Sequence, residues 1–140
     1  DATPEMATAG EAAYHAHRIA CGLPAGARDL EVEKTLALEG DLDVLNGVDF
    51  TKGCYVGQEL TARTKYRGKV RRRLAPLDIP EGAPDPGTPV ELDGKTVGDI
   101  RRAAGAYAIA MLRTEALAGG ALTAGGRAAT PRLPDWLAAA

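Results

Sequence analysis

Apolar and polar residues follow one pattern before Gly68 and another after it. In the first part, small and branched apolar residues recur at helical intervals and predict a helix near residues 10–22. The recurring residues are Ala12, Ala16, Ile19, Ala20 and Leu23. Thr8 and Glu11 have the spacing of a capping box, and Gly22 provides a stop signal. We therefore expect a first helix close to the start of the chain.

The segment from Gly26 to Gly47 mixes acidic residues with Leu and Val, without a clear period. This mixture predicts extended or irregular segments anchored by apolar side chains. The residues that follow predict a second helix from about Tyr55 to Tyr66. Glu59 and Arg63 stand four residues apart on it, a spacing that supports helices. Gly68 then stands where a C-terminal glycine is expected.

After Gly68 the pattern is that of short β-strands. Residues 70–79 predict one strand, followed by a loop rich in Pro and Gly. Residues 90–103 predict a hairpin, because the Asp93-Gly94 pair favours a tight primed turn. Residues 107–113 have the length of a further strand, and residues 122–133 predict one more strand pair. Short strands with regular turn signals indicate a small antiparallel barrel or sandwich.

The charge is distributed unevenly, although the 140 residues carry a net charge of only −2. Residues 1–61 contain 4 basic and 11 acidic residues, and residues 76–140 contain 6 and 8. Between them lies a cationic belt with no acidic residue, made of Arg63, Lys65, Arg67, Lys69, Arg71, Arg72 and Arg73. This pattern excludes a generally basic nucleic-acid coat protein but allows a local anion site. No apolar run is long enough to predict a membrane span.

The belt has two interpretations. In the first, it binds phosphates, a polycarboxylate tail or an acidic partner. In the second, it is a solvated helix end followed by outward strand positions, balanced by the acidic first segment. Only Tyr66 is interleaved with the cations, so a stacking platform for single-stranded nucleic acid is poorly supported.

Metal and disulfide chemistry receive little support from the pattern. Cys21 and Cys54 are the only cysteines, and their spacing fits neither a disulfide framework nor a zinc site. His15 and His17 are two residues apart and point to different helix faces. We therefore expect two reduced thiols and no metal site.

The densest chemical signal is the octet from Lys52 to Glu59, in which Gly53 and Gly57 bracket Cys54 just before the second predicted helix. A helix N-terminus and the neighbouring Lys52 would both favour the thiolate of Cys54. The alternative is a structural turn in which Cys54 behaves as a small hydrophobe. The local chemistry alone leaves both interpretations open.

Residues 50–64 and the following Tyr66-Arg67-Gly68 resemble the signature of the YgfZ family, relatives of the glycine-cleavage T-protein (aminomethyltransferase). Supporting features upstream are Tyr14, Arg18-Ile19, Gly22-Leu23-Pro24, Leu38-Glu39, Leu42 and Asn46-Gly47-Val48. The resemblance is strong over about residues 10–75. It implies an α+β chain, namely the C-terminal part of an aminomethyltransferase-like folate-binding fold followed by a small antiparallel β-barrel. The expected domains are 1–68 and 69–140.

The resemblance also implies a function and a set of site residues. The family acts in assembly or repair of 4Fe-4S clusters, which makes an accessory factor more consistent with this chain than a conventional enzyme. Cys54 and Lys52 would do the chemistry, since Cys54 corresponds to the cysteine thought essential in the family. The T-protein has an acidic residue at that position, and a thiol there favours redox, sulfur or metal-related work over aminomethyl transfer. The ligand-binding residues would be Gly53, Tyr55, Gly57, Gln58, Glu59, Arg18 and Arg67.

Further expectations concern ligands, partners and location. Tetrahydrofolate is the implied cofactor, but Ala20 replaces a glutamate that contacts the pterin in such proteins, which predicts weakened binding. No stably bound iron–sulfur cluster is expected, because such clusters normally use four cysteines. The expected partners are iron–sulfur assembly machinery, client enzymes including tRNA-modifying ones, and an N-terminal half missing from this chain; neither a membrane nor nucleic acid is expected. The location would be the bacterial cytoplasm or, in a eukaryote, the mitochondrial matrix.

Two other functions remain as alternatives. One is a folate-dependent one-carbon transferase like the T-protein, against which Cys54 counts. The other is a binding module that docks an acidic partner through the cationic belt. Its binding would weaken steeply with salt and survive Cys54→Ala.

Overall fold

The computed structural model describes residues 8–138, and its main feature is a closed six-stranded antiparallel barrel. Around the barrel the strands follow the order β1-β4-β3-β2-β5-β6. Their bounds are β1 Arg72–Asp78, β2 Pro89–Leu92, β3 Lys95–Ala104, β4 Tyr107–Arg113, β5 Leu122–Ala124 and β6 Arg127–Pro131. The short pairing of Leu77 with Pro131 and of Asp78 with Thr130 closes the barrel. The predicted barrel is confirmed, and each predicted strand lies within a few residues of an observed one.

Alternation of side chains builds the barrel interior. On β4, Ala108, Ala110 and Leu112 belong to the core cluster that fills the barrel, together with Ala75 and Leu77 of β1. The intervening residues of both strands point outwards, yet they are also buried. A second layer therefore covers the outside of β1 and β4.

Two local features determine the register of the central strands. Asp93 and Gly94 have φ values of 50° and 76°, as the predicted primed turn between β2 and β3 requires. Gly98 on β3 lies directly against β4, where a Cβ atom would stand 2.0 Å from the carbonyl oxygen of Met111. This position has room only for glycine.

Three α-helices lie within residues 8–138: α1 Glu11–Ala20, α2 Gln58–Tyr66 and α3 Asp135–Ala138. Short 3₁₀ turns occur at Gly26–Arg28 and Thr114–Ala118. None of these helices is long and apolar enough to cross a membrane.

Helix α1 provides part of the outer layer. Its Ile19 packs with Leu74, Ile109 and Met111 on the outside of the barrel. The predicted capping box at its start is wrong, because Gly10 is the N-cap and no side chain caps it. The predicted domain boundary between residues 68 and 69 stays a prediction.

The segment that was expected to be extended or irregular is a series of turns. Successive bonds span three or four residues, for example from Thr35 N to Glu31 O and from Leu45 N to Asp41 O. We call residues 31–47 the turn segment. Leu38 is its deeply buried apolar residue, and the backbone oxygen of Glu39 accepts a hydrogen bond from the Leu74 amide of β1. The turn segment is therefore attached directly to the first barrel strand.

Candidate functional site

Cys54 is exposed on the loop that precedes α2, and its thiol is free. Gly53 beside it faces open space. The helix was expected to begin near Tyr55, but it begins at Gln58, because Gly57 adopts a left-handed φ of 86° and serves as the N-cap. Cys54 thus lies on the approach to the helix, three residues before its cap.

An Asx turn holds the start of this loop. Oδ1 of Asp49 accepts hydrogen bonds from the hydroxyl and amide of Thr51, at 2.7 and 2.8 Å, and from the Lys52 amide at 3.2 Å. The side-chain bond from Thr51 is the main reason why the pKa of the Asp49 carboxyl lies below its usual value. The residues leading to Cys54 therefore have a defined backbone path.

Aromatic side chains hold the loop against α2. The Phe50 and Tyr66 rings meet edge to face with centroids 5.9 Å apart, and Lys65 Nζ lies 5.6 Å from the Phe50 centroid. Lys52 Nζ lies 4.8 Å from the centroid of the Tyr55 ring. The Tyr55 hydroxyl is buried and has no hydrogen-bond partner among residues 8–138.

The structure brings most of the predicted ligand-binding residues together. Tyr55, Gly57, Gln58 and Glu59 line one open groove of about 420 Å³. Arg67 lines a neighbouring groove of about 760 Å³ along α2. The expected pair of Glu59 and Arg63 is absent from the ion pairs of the described residues.

Arg18 lies in a different network. Its side chain is buried; Nη1 lies 2.6 Å from Oδ2 of Asp29, and Nε donates to His15 Nδ1 at 2.8 Å. Nη1 also donates to the Leu23 carbonyl at 3.0 Å. His15 and Leu23 lie in α1 or just after it, whereas Asp29 follows the 3₁₀ turn Gly26–Arg28. Ala20 at the end of the helix adds only a methyl group.

Residue pattern alone did not identify the acid–base cluster that joins the turn segment to β1. Arg73 is buried; its Nη1 lies 2.9 Å from Oδ1 of Asp41, and its two terminal nitrogens bind Asp43 at 3.0 and 3.1 Å. Lys65 also binds Asp43, at 3.2 Å. Arg72 binds Glu39 through two bonds of 3.1 and 3.2 Å.

The two aspartates of this cluster titrate differently. Desolvation raises the pKa of Asp41 to about 7, against the opposing effect of Arg73. Its Oδ2 atom is buried and has no partner within the described residues. Desolvation also opposes ionisation of Asp43, but hydrogen bonds from Arg73 and Lys65 lower its pKa below the usual value.

The cluster divides the cationic belt into two parts. Lys65, Arg72 and Arg73 are neutralised by acids of the turn segment. The other four residues are exposed and form no ion pair within residues 8–138. We call these four the free cations: Arg63, Arg67, Lys69 and Arg71. The ion pairs agree with the interpretation in which the acidic first segment balances the belt, and anion binding by the free cations stays a prediction.

Cys21 has a less accessible position than Cys54. It is half-buried at the end of α1, with its sulfur 3.7 Å from His17 Nε2. Among the described residues, no group of three or more His, Cys, Asp or Glu side chains is arranged to hold a metal ion. The arrangement offers one accessible thiol on a held loop, beside grooves open to solvent.

The barrel corresponds to a known domain family. Residues 71–139 match the family described as CAF17, C-terminal beta-barrel domain. This match begins one residue before β1 and ends one residue after α3.

Similarity to curated proteins extends upstream of the barrel. The chain is 45% identical over 111 residues to the iron-sulfur cluster assembly factor IBA57, mitochondrial, of Homo sapiens, covering 76% of this chain and 31% of that protein. The Mus musculus protein of the same name is 42% identical over 112 residues, with the same coverage. The IBA57 homolog of Neurospora crassa is 53% identical over 66 residues, covering 47% of this chain and 15% of that protein. The chain spans about a third of the length of its mammalian relatives.

Proposed function

We propose that this chain is the C-terminal part of a YgfZ-type accessory protein that assists assembly or repair of 4Fe-4S clusters, with Cys54 as its working thiol. The names of the similar proteins, iron-sulfur cluster assembly factors, support the class of function. The observation that carries the role of Cys54 is its exposure on a loop held by an Asx turn and by aromatic contacts.

The cluster is the cargo in this proposal and is not a resident cofactor. A single thiol supplies one of the four ligands that a cluster normally needs, so the other ligands must come from elsewhere. Cys54 would act while a partner protein holds the cluster, and Lys52 and Tyr55 would keep the loop in place. The free position of the thiol suits such a contact, because a partner can reach it from solvent.

Partners and location follow from the same proposal. Assembly machinery or cluster-containing client enzymes, including tRNA-modifying ones, would bind on the side of the Cys54 loop. The preceding part of a longer protein would be an intramolecular partner, since the similar proteins are about three times as long as the matched region. We place the protein in the mitochondrial matrix if its source is eukaryotic and in the cytoplasm if it is bacterial; the relatives' names, which contain the word mitochondrial, support a mitochondrial location in a eukaryote.

Tetrahydrofolate fits the residues of α1 poorly. Ala20 has no group that hydrogen-bonds a pterin, and the guanidinium of Arg18 is already bound to Asp29, His15 and Leu23. The proposed role therefore includes no step through folate. Calorimetric titration of the full-length parent with tetrahydrofolate should show weak binding, and Ala20→Glu should strengthen it. Tight binding by the unaltered protein would show that other residues hold the ligand.

The test of the thiol is complementation of a strain that lacks its own YgfZ protein. The full-length parent should restore the activity of a 4Fe-4S enzyme, Cys54→Ala should not, and Cys21→Ala should restore it like the unaltered protein. Immunoblots would verify equal protein levels. Equal rescue by Cys54→Ala would remove this thiol from the mechanism, and measured aminomethyl transfer to tetrahydrofolate would favour the one-carbon transferase instead.

A further inference from the structure

Helix α2 has no buried residue along its nine positions. Helices this short are marginal in water unless packing supports them. Leu60 is 57% exposed and Tyr66 70% exposed, although both are apolar enough to pack against a neighbour. The outward side of α2 is thus an apolar and charged surface that nothing in residues 8–138 covers.

One side of this surface contains a hollow of about 190 Å³ between α2 and the turn segment. Leu36, Leu38 and Leu60 contribute its apolar wall. The hydroxyls of Thr61 and Thr64 also face the hollow, but they already donate to backbone carbonyls at 3.0 and 2.8 Å. With those donors occupied, the hollow suits a single apolar side chain.

The other side of Leu60 borders the groove of about 760 Å³, whose charged lining consists of two arginines and one acid, Glu59. Arg63 and Arg67 lie one helical turn apart along it, with Tyr66 beside them. Lys69 and Arg71 extend the free cations beyond the helix. Acids of the turn segment are bound to Lys65, Arg72 and Arg73. Glu59 forms no ion pair with Arg63 among residues 8–138, so one carboxylate faces four cations that have no ion-pair partner there.

Charge favours a short acidic partner over a long polyanion. The four free cations form a local positive patch, whereas the whole chain has a net charge of −2. A nucleic acid that extends beyond the patch would meet repulsive surface, because steering depends on the summed field of the protein. A protein segment can instead restrict its carboxylates to the patch and provide an apolar anchor.

We propose that α2 is the docking surface for an acidic segment of a partner protein. One apolar side chain of that segment enters the hollow beside Leu36 and Leu60, and its carboxylates pair with Arg63 and Arg67. Lys69 and Arg71 add long-range attraction that speeds association. The surface lies next to the Cys54 loop, so a docked partner would be held close to the thiol.

The experiment measures fluorescence anisotropy of a short labelled peptide made of Glu and Ser with one central Leu. The 140-residue chain should bind this peptide, and Arg63→Glu with Arg67→Glu should weaken binding by at least about tenfold, because attraction becomes repulsion. The matched control is Lys95→Glu with Arg132→Glu, two exposed cations of the barrel, of which Arg132 has only a 4.0 Å ion-pair contact with Asp78 among residues 8–138. The control makes the same change in net charge and should leave binding nearly unchanged.

A second set of variants tests the apolar anchor. Replacing the central Leu of the peptide by Ser, or Leu60→Ser in the protein, should each weaken binding several-fold, whereas Leu23→Ser should not. Leu23 is an exposed leucine that does not line the hollow. Circular dichroism would verify that each variant keeps its fold.

Several results would overturn the proposal. The first is equal binding of the peptide by the arginine variant and its control. The second is equal binding of the peptide in which Ser replaces the central Leu. The third is that single-stranded RNA or phosphatidylserine vesicles bind the same arginines more tightly than the peptide does. Failure of the full-length parent to bind a peptide that the 140-residue chain binds would show that its own preceding segment covers α2. No cluster enzyme enters the assay, so its outcome is independent of the iron–sulfur function.

Discussion

Arg73 and Asp41 form a buried ion pair, with 2.9 Å between Nη1 and Oδ1, at the junction of the turn segment and the barrel. They are 32 residues apart in the chain. Arg73 also holds Asp43 through two bonds and the Leu38 carbonyl through a third. The pair thus connects the segment that leads to the Cys54 loop with the first barrel strand.

Asp41→Asn should alter how stability depends on pH. The pKa of Asp41 is about 7 in the folded protein against an ordinary value of 3.8, so between these values the folded state keeps a proton that the unfolded state has lost. Raising the pH through this window should lower the free energy of unfolding by up to about 1.4 kcal/mol per pH unit. The variant should show a smaller slope between about pH 5 and pH 7.

Urea unfolding at a series of pH values measures this slope. Asp99, whose pKa burial also raises, should leave a residual slope of the same sign in the variant. Asp43 and Asp49 have lowered pKa values and act in the opposite sense, but only near and below their ordinary value of 3.8. An unchanged slope in Asp41→Asn would show that Asp41 is ionised throughout this pH range.

Arg73→Met should be strongly destabilising, because it leaves Asp41 and Asp43 buried without their shared cation. We expect a loss of about 3–5 kcal/mol in the free energy of unfolding. The matched control is Arg72→Met, whose side chain is 47% exposed and pairs with Glu39. Its loss should be smaller than that of Arg73→Met, because Arg72 is partly solvated in its ion pair and the Leu36 amide still donates to the Glu39 carboxylate. Similar losses in both variants, measured by urea unfolding, would contradict a special role for the buried pair.

Gly98→Ala should disrupt the pairing of β3 with β4. The added Cβ would stand 2.0 Å from Met111 O, a backbone atom that can move only if the two strands separate. Gly53→Ala is the matched control, because Gly53 has open space around it and no positive φ. Thermal unfolding followed by circular dichroism should show a large drop in melting temperature for Gly98→Ala alone. A stable Gly98→Ala protein would contradict the observed strand register.

Cys54 should react with a thiol reagent before Cys21. Cys54 is exposed, whereas Cys21 is half-buried and lies beside His17. Mass spectrometry after brief alkylation of the native protein should find the label on the peptide containing Cys54. Cys54→Ala should abolish the fast phase and Cys21→Ala should retain it. A fast phase that survives Cys54→Ala would assign the accessible thiol to Cys21.

The strands were predictable because their signals are local. The Asp93-Gly94 turn depends on two adjacent residues, and β4 has the same bounds as its predicted strand, residues 107–113. The start of α2 was predicted less well. The residues from 55 to 66 allow a helix throughout, but the left-handed backbone of Gly57 delays it to Gln58.

The sequence also identified some parts of the candidate site and not others. The glycine-flanked Cys54 motif could be identified directly, since its residues are contiguous. The partners of Arg18 and Arg73 could not, because Asp29 and Asp41 are brought to them by the packing of separate segments. The adjacent acidic and basic blocks indicated that charges would balance, but not which residues would pair.

The sequence by itself determined where the strands lie along the chain, the Asp93-Gly94 turn and the position of the Cys54 loop, because each depends on neighbouring residues. Only the tertiary structure decided that β1 meets β6 to close the barrel, and that Arg72 and Arg73 are bound while Arg63 and Arg67 stay free. The physical reason is that ion pairs and barrel closure depend on distances between atoms far apart in the chain. Folding alone brings those atoms within a few ångströms of each other.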